Sequence, residues 1–145
     1  MNNPPAPHDE IRQLFKKHAP HVAAGVVELV SIAHKPGKHL MVAVRSHDEP
    51  IDAVASCTGT RGIYIKTISR ELGGEMATVV LWSDSPETFI RSLLSPQNPT
   101  VTLDASRRRA VLKVDQKTME KLTEENNLQL RLASELVGWE IELAN

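Results

Sequence analysis

The chain has 145 residues, 41% hydrophobic and 24% charged, an ordinary composition for a soluble polypeptide with room for one domain or two very small ones. A net charge of −1 and a pI near 6.6 exclude a globally basic nucleic-acid coat, so binding of that kind must come from a local patch. The single Cys57 excludes a disulfide framework, and neither a leader-like start nor a long apolar run points to export or to a membrane partner; a reducing cytoplasm is the expected compartment.

Residues 1 to 8 carry Pro4, Pro5 and Pro7 among small polar residues and read as a flexible lead-in. From Asp9, an expected N-cap, the apolar positions Ile11, Leu14 and Phe15 recur at helical spacing until Pro20. VVELVSIA and HLMVAVR are rich in β-branched residues and are separated by Pro36-Gly37, which predicts two adjacent strands joined by a sharp turn. Ile51 to Thr58 then predicts a short helix, Gly59 to Gly62 a loop, Ile63 to Leu72 a longer helix stopped by Gly73-Gly74, and Met76 to Trp82 a strand. Ser85-Pro86 opens a helix running to Leu94 and ended by Pro96 to Pro99. Strands at Thr100 to Leu103 and Arg109 to Val114, helices at Thr118 to Thr123 and Glu124 to Val137, and a strand at Trp139 to Leu143 complete the order.

The second half repeats the first. At an offset of 65, Ile63, Ile65, Lys66, Ser69, Gly73 and Glu75 fall on Leu128, Leu130, Arg131, Ser134, Gly138 and Glu140, so apolar meets apolar, base meets base and glycine meets glycine. Two copies of one small module are the simplest reading, and because modules of about 65 residues are marginal alone they are expected to share an interface. The match fails at one place, where Gly59-Thr60-Arg61-Gly62 meets Glu124-Glu125-Asn126-Asn127 and loses both glycines and the base.

Glycines at both ends of the first loop permit turn conformations closed to other residues and let the backbone approach a ligand without a Cβ in the way. The loop also opens the helix after Gly62, so unpaired N–H groups and the positive end of the helix dipole face one spot, which suits a phosphate. Thr60 adds a hydroxyl and Arg61 a charge. From Gly59 to Leu72 the bases Arg61, Lys66 and Arg70 outweigh Glu71 for a net +2, whereas from Glu124 to Val137 Arg131 faces Glu124, Glu125 and Glu135 for a net −2. At a solvated surface each carboxylate near a phosphate costs roughly 1 kcal/mol; the same acids at a helix start also cap its N–H groups. The second copy is therefore expected to be a structural module whose loop no longer grips a phosphate.

Arg45 and Lys66 are expected to border the first groove. Arg107, Arg108 and Arg109 sit at an expected turn between two strands, and read either as an extension of a basic track or as a solvated turn. His8, His18, His21, His34, His39 and His47 all lie in the first third, but zinc would need further ligands near His18 and His21, and surface histidines beside strands are the better account; no metal site is expected. Cys57 reads as a small core residue, and Trp82 and Trp139, at the ends of equivalent strands, as packing residues. No phosphate-loop, nucleophile-elbow or zinc-protease motif is present, so no catalytic residue, no cofactor and no enzymatic activity are expected.

The element order, with G-x-x-G between paired helices, resembles the bacterial type II K-homology (KH) domain. The stretches VAAGVVELVSIAHKPG, IDAVASCTGTRG, SRELGGE, VVLWSDSPETFI, LLSP and RLASELVGWEIEL are similar, in order, to the tandem KH region of the NusA family of transcription factors, from Ile11 to Leu143. The resemblance implies an α+β fold of two consecutive type II KH domains. Each would run helix, strand, strand, helix, loop, helix, strand, with a small three-stranded sheet covered on one face by helices. Domain one is expected at 9–84 and domain two at 85–145.

A KH loop clamps about four nucleotides of single strand. The resemblance thus implies single-stranded RNA as partner, gripped by Gly59, Thr60, Arg61, Gly62, Lys66 and Arg45, its bases on an apolar groove between helix and strand, in transcription elongation, termination or antitermination. The family carries a second G-x-x-G where this chain has Glu124 to Asn127, and its N-terminal polymerase-binding and S1 domains have no counterpart in these residues. A role in the transcription complex is therefore expected through RNA and not through direct polymerase contact. A KH-fold protein-interaction module that has lost most RNA binding stays open as the alternative, favoured by the acidic second loop and the neutral pI.

Overall fold

The computed structural model describes residues 8–93 and 99–144; the lead-in before His8, Leu94 and Pro96 at the expected helix end, and Asn145 lie outside the described residues. The chain divides into two compact units, Met1–Val79 and Val80–Asn145.

In the first unit, α1 (Asp9–His18) buries Ile11 and Phe15 and carries acids in its first turn and Lys16, Lys17 and His18 in its last, the charge order that the helix dipole favours. Asp9 is not its cap. His8 holds that place in a left-handed backbone, φ 68°, with no side-chain capping bond, and Asp9 is the first helical residue. Ala19 is extended because a residue before proline is pushed out of the helical region, and Pro20 then opens a separate short helix, α2 (Pro20–Ala23), at the position proline tolerates best. The apolar spacing ends the first helix at Pro20 and gives no sign of this second one.

β1 (Val27–Lys35) and β2 (His39–Ser46) pair antiparallel, Val27 opposite Ser46 and Lys35 opposite His39, around a turn in which Gly37 takes φ 82°. After α3 (Ala53–Thr58) and α4 (Ile63–Glu71), β3 (Met76–Leu81) returns beside β2, giving the order β1-β2-β3. Leu40, Val42 and Val44 of β2 are fully buried against Phe15, Ala53, Cys57 and Ile68 of the helices, which make one continuous apolar core. Full burial of a side chain such as Phe15 contributes roughly 1.5–3 kcal/mol. That core holds α3 and α4, and with them the loop between.

Apart from α2, the second unit has the same order among the described residues: α5 (Pro86–Leu93), the antiparallel pair β4 (Thr100–Asp104) and β5 (Arg109–Lys113), α6 (Gln116–Leu122), α7 (Glu124–Val137), and β6 (Glu140–Leu143) parallel to β5. Its sheet order is β4-β5-β6. Phe89 and Ile90 of α5, Ala110 and Leu112 of β5, and Leu132 and Leu136 of α7 are buried, and Trp82 tilts at 54° against Phe89 with ring centroids 5.0 Å apart.

The repeat is visible as geometry. Ser69 Oγ donates to the Glu75 carbonyl, and Ser134 Oγ donates to the Trp139 carbonyl at 2.6 Å, so equivalent serines tie equivalent helices to the turn before the last strand. The acceptors are not 65 positions apart. One glycine, Gly138, does in the second unit what Gly73 and Gly74 do in the first, so the register shortens by one and Trp139, not Glu140, stands where Glu75 does.

Candidate nucleic-acid interface

α3 and α4 present the loop between them. Asp52 starts α3 by accepting the Ala55 N–H on Oδ1 at 3.0 Å, which places the helix two residues later than the apolar run suggested. The helix stops at Gly59, whose N–H donates to the Ala55 carbonyl at 2.8 Å and whose backbone, φ 79° and ψ 171°, is open to glycine and closed to most residues. Thr60–Gly62 form one tight turn, closed by Gly62 N–H to the Gly59 carbonyl at 3.0 Å. Arg61 is left-handed at φ 56° and ψ 25°, rare for a residue with a Cβ, and Gly62 follows at φ 74° and ψ 21°. The turn leaves Thr60 and Arg61 exposed, and α4 opens with no side-chain cap, so its positive end faces the loop.

The charges sharpen this picture. Lys66 and Arg70 lie one turn apart on α4 and are exposed, and among the described residues Arg61, Lys66 and Arg70 carry no ion pair. The one acid of the segment, Glu71, turns away toward α1, where Lys17 Nζ and His18 Nε2 approach its two oxygens at 3.0 and 2.6 Å. Those two partners, His18 first, hold its carboxyl below the usual glutamate range. The loop therefore sees three unpaired cations and no free carboxylate from its own segment.

The two glycines do different work. A Cβ on Gly59 would stand 2.7 Å from Cδ2 and 2.8 Å from Cγ of Tyr64, whereas a Cβ on Gly62 would meet only Ile65 and Lys66 side-chain atoms at 3.7 Å. Gly59 is required as much by the Tyr64 ring as by any ligand. Sequence reasoning missed Tyr64, although it is the chain's single tyrosine and lies two positions beyond the loop.

Of the other expected residues, Arg45 is engaged on the strands. Its Nε approaches Glu28 Oε1 at 3.2 Å across the β1–β2 pair, where His47 Nε2 joins at 2.9 Å, and none of these contacts runs to the loop. Arg107 pairs with Asp104 at 3.8 Å and Arg109 with Glu142, while Arg108, left-handed at φ 51°, accepts the Glu140 N–H on its carbonyl at 2.9 Å. Two of the three arginines thus face carboxylates of their own unit.

Two more of the histidines find partners: His34 Nε2 lies 2.6 Å from Glu75 Oε1, and His39 Nε2 lies 2.9 Å from Thr78 Oγ1. No group of three or more His, Cys, Asp or Glu among the described residues could hold a metal ion. Cys57 is buried, and burial pushes its thiol up to about 12, which denies it a thiolate at neutral pH.

The second loop keeps part of the first one's shape. α7 runs from Glu124 to Val137, yet Asn127, the equivalent of Gly62, is left-handed at φ 62°. Asparagine is among the few side chains that tolerate this region. The side chains of Glu125 and Asn126 lie outside the described set; Glu124, Asn127 and Arg131 are exposed.

Known proteins resemble this chain in sequence and in fold. Residues 6–82 match the family model of the NusA-like first KH domain. The transcription termination/antitermination protein NusA of Thermus thermophilus is 37% identical over 132 residues, covering 90% of this chain and 34% of its own length. That of Rickettsia conorii is 33% identical over 135 residues, covering 90% and 27%. The chain thus spans about a third or less of the length of these relatives. Among solved structures, the crystal structure of APE1850 superposes with a TM-score of 0.60 at 20% identity, over 92% of this chain and 96% of that one, and shares the fold.

Proposed function

The chain belongs to the family of NusA-like first KH domains, and from that membership we propose that it is a single-stranded RNA-binding module acting in transcription elongation, termination or antitermination, in the cytoplasm, and not an enzyme. The grip is the loop Gly59 to Gly62 of the first KH domain, read as 9–84. The second, read as 85–145, packs without holding RNA through its own loop. One observation carries this reading: the left-handed pair Arg61 and Gly62 opens α4 beside the unpaired cations Arg61, Lys66 and Arg70. An RNA phosphate meets backbone N–H groups and positive charge there together.

Arg45 serves as a flanking cation only when Glu28 releases it. The Arg107 to Arg109 turn contributes Arg108 more readily than its paired neighbours. The transcription complex is met through RNA, with no direct polymerase contact assigned to these residues. Among the described residues no helix is long and apolar enough to cross a membrane.

The test is a titration of fluorescently labelled single-stranded RNA with the wild type, Arg61→Glu and Lys66→Glu. Both side chains are exposed and unpaired among the described residues, so the thermal midpoint should hardly move while affinity falls roughly tenfold in each variant. Unchanged affinity in both would remove the loop as the grip and favour the protein-interaction reading, which the acidic start of α7 supports.

A further inference from the structure

We infer that the depression framed by Pro20, Ile51, Ser56, Thr60 and Tyr64 is a nucleobase site, taking the base next to the phosphate held by the Gly59 to Gly62 loop. The inference rests on the RNA-binding reading and adds a second contact to it. This depression has a volume of about 380 Å³, near the lower end for small-ligand sites and suited to one base rather than a longer group. It shares Gly59 and Thr60 with the loop, so a strand whose phosphate sits at the loop brings its neighbouring nucleotide there. None of its lining residues comes from β3. It is therefore a different place from the groove between helix and strand.

Its chemistry separates base from phosphate. No lysine or arginine lines it; Pro20, Pro50, Ile51, Ala55 and the Tyr64 ring supply apolar surface, while Ser56, Thr60 and His21 supply polar groups. Asp52 also lines it, with Oδ1 occupied by the Ala55 N–H, and its negative charge disfavours a phosphate while tolerating the amino edge of a base. The cations lie on the loop and on α4 instead. A nucleotide matches that division, with the charged group on the cationic side and the flat, edge-polar ring against the tyrosine. The ring is positioned in advance: Gly59 has no Cβ where Tyr64 Cδ2 and Cγ approach, so backbone and ring form one wall.

The experiment uses the full chain and a short single-stranded RNA carrying one abasic nucleotide moved along its length. For the wild type, one abasic position should weaken binding roughly tenfold, the size of a lost stacking contact. Tyr64→Ala should weaken binding to the intact strand by the same factor and be insensitive to that abasic position, while Tyr64→Phe should stay near wild type. The salt dependence should be unchanged in Tyr64→Ala, since no phosphate contact is lost, but shallower by about 0.7 in slope in Arg61→Ala. Because Tyr64→Ala can disturb the loop, Ala55→Met fills the depression from an exposed position on α3 and should show the same loss. Normal binding by folded Tyr64→Ala and Ala55→Met, with Arg61→Glu still impaired, would overturn the base site and leave the loop as the grip. Normal binding by all three variants would overturn the RNA reading itself, and the base site with it.

Discussion

Gly62 and Asn127 stand 65 positions apart in the chain and hold the same left-handed backbone, φ 74° and 62°, at the same point of the repeated fold. The second loop has lost its glycines but not this conformation. An asparagine there still carries part of the steric cost that glycine avoids. Asn127→Gly should therefore raise stability by up to about 1 kcal/mol, and Asn127→Val should lower it by a similar amount or more. Urea unfolding of the two variants checks this; a loss with glycine would mean that the Asn127 side chain holds the turn.

The same relationship makes the second loop a candidate for repair. Glu124→Gly, Glu125→Thr, Asn126→Arg and Asn127→Gly together copy the first loop and change the local charge from −2 to +1. One of the four positions already has the required backbone. A strand long enough to span both loops should then bind more tightly than a strand of about four nucleotides, by avidity, and with a steeper salt dependence. Titrations of long and short RNA on folded wild-type and repaired proteins decide the matter: no gain on long RNA would mean that loop chemistry did not silence the second module.

Gly59 and Gly62 should separate in a stability experiment. Both have positive φ, but only at Gly59 does a Cβ collide with a ring, at 2.7 Å from Tyr64. Gly62→Ala should cost about 1 kcal/mol and Gly59→Ala clearly more. In the Gly59→Ala, Tyr64→Ala double variant part of that extra cost should return, a coupling that a double-mutant cycle measures. Equal costs for the two glycines would contradict the packing of Tyr64 on Gly59. The same collision makes aspartate at Gly59 a poor probe of RNA binding, because it unsettles the loop as well as adding charge.

Acid should loosen the first unit through Glu75. Burial pushes its carboxyl up, but the Gly37 N–H at 2.7 Å and His34 at 2.6 Å outweigh burial and hold it below the usual value of 4.5. A carboxyl depressed in the folded state contributes stability above its unfolded pKa and loses it as pH falls through the folded one. Stability should thus be level above about pH 5.5 and decline as pH falls through 4.5 and below. Glu75→Gln should be less stable at neutral pH and show a flatter acid limb in pH-dependent unfolding. An unchanged acid limb would place the titrating group elsewhere.

The order of helices and strands apart from α2, the Pro36-Gly37 turn, the G-T-R-G loop and its altered second copy were legible in the sequence, because each depends on residues a few positions apart. So was the local charge contrast between the copies. Tertiary structure decided the rest. Glu71 counts against the first loop in a local sum, but it pairs with Lys17 and His18, more than 50 positions earlier, so the loop is more positive than its own segment suggests. Arg109 reads as part of a basic run until Glu142, from β6, is brought beside it. Tyr64 reads as one more half-buried helical residue until the backbone of Gly59 turns beneath its ring. Periodicity and turn chemistry are local and survive in one dimension, whereas a cation's freedom and the space beside a glycine depend on what the fold brings back from far along the chain.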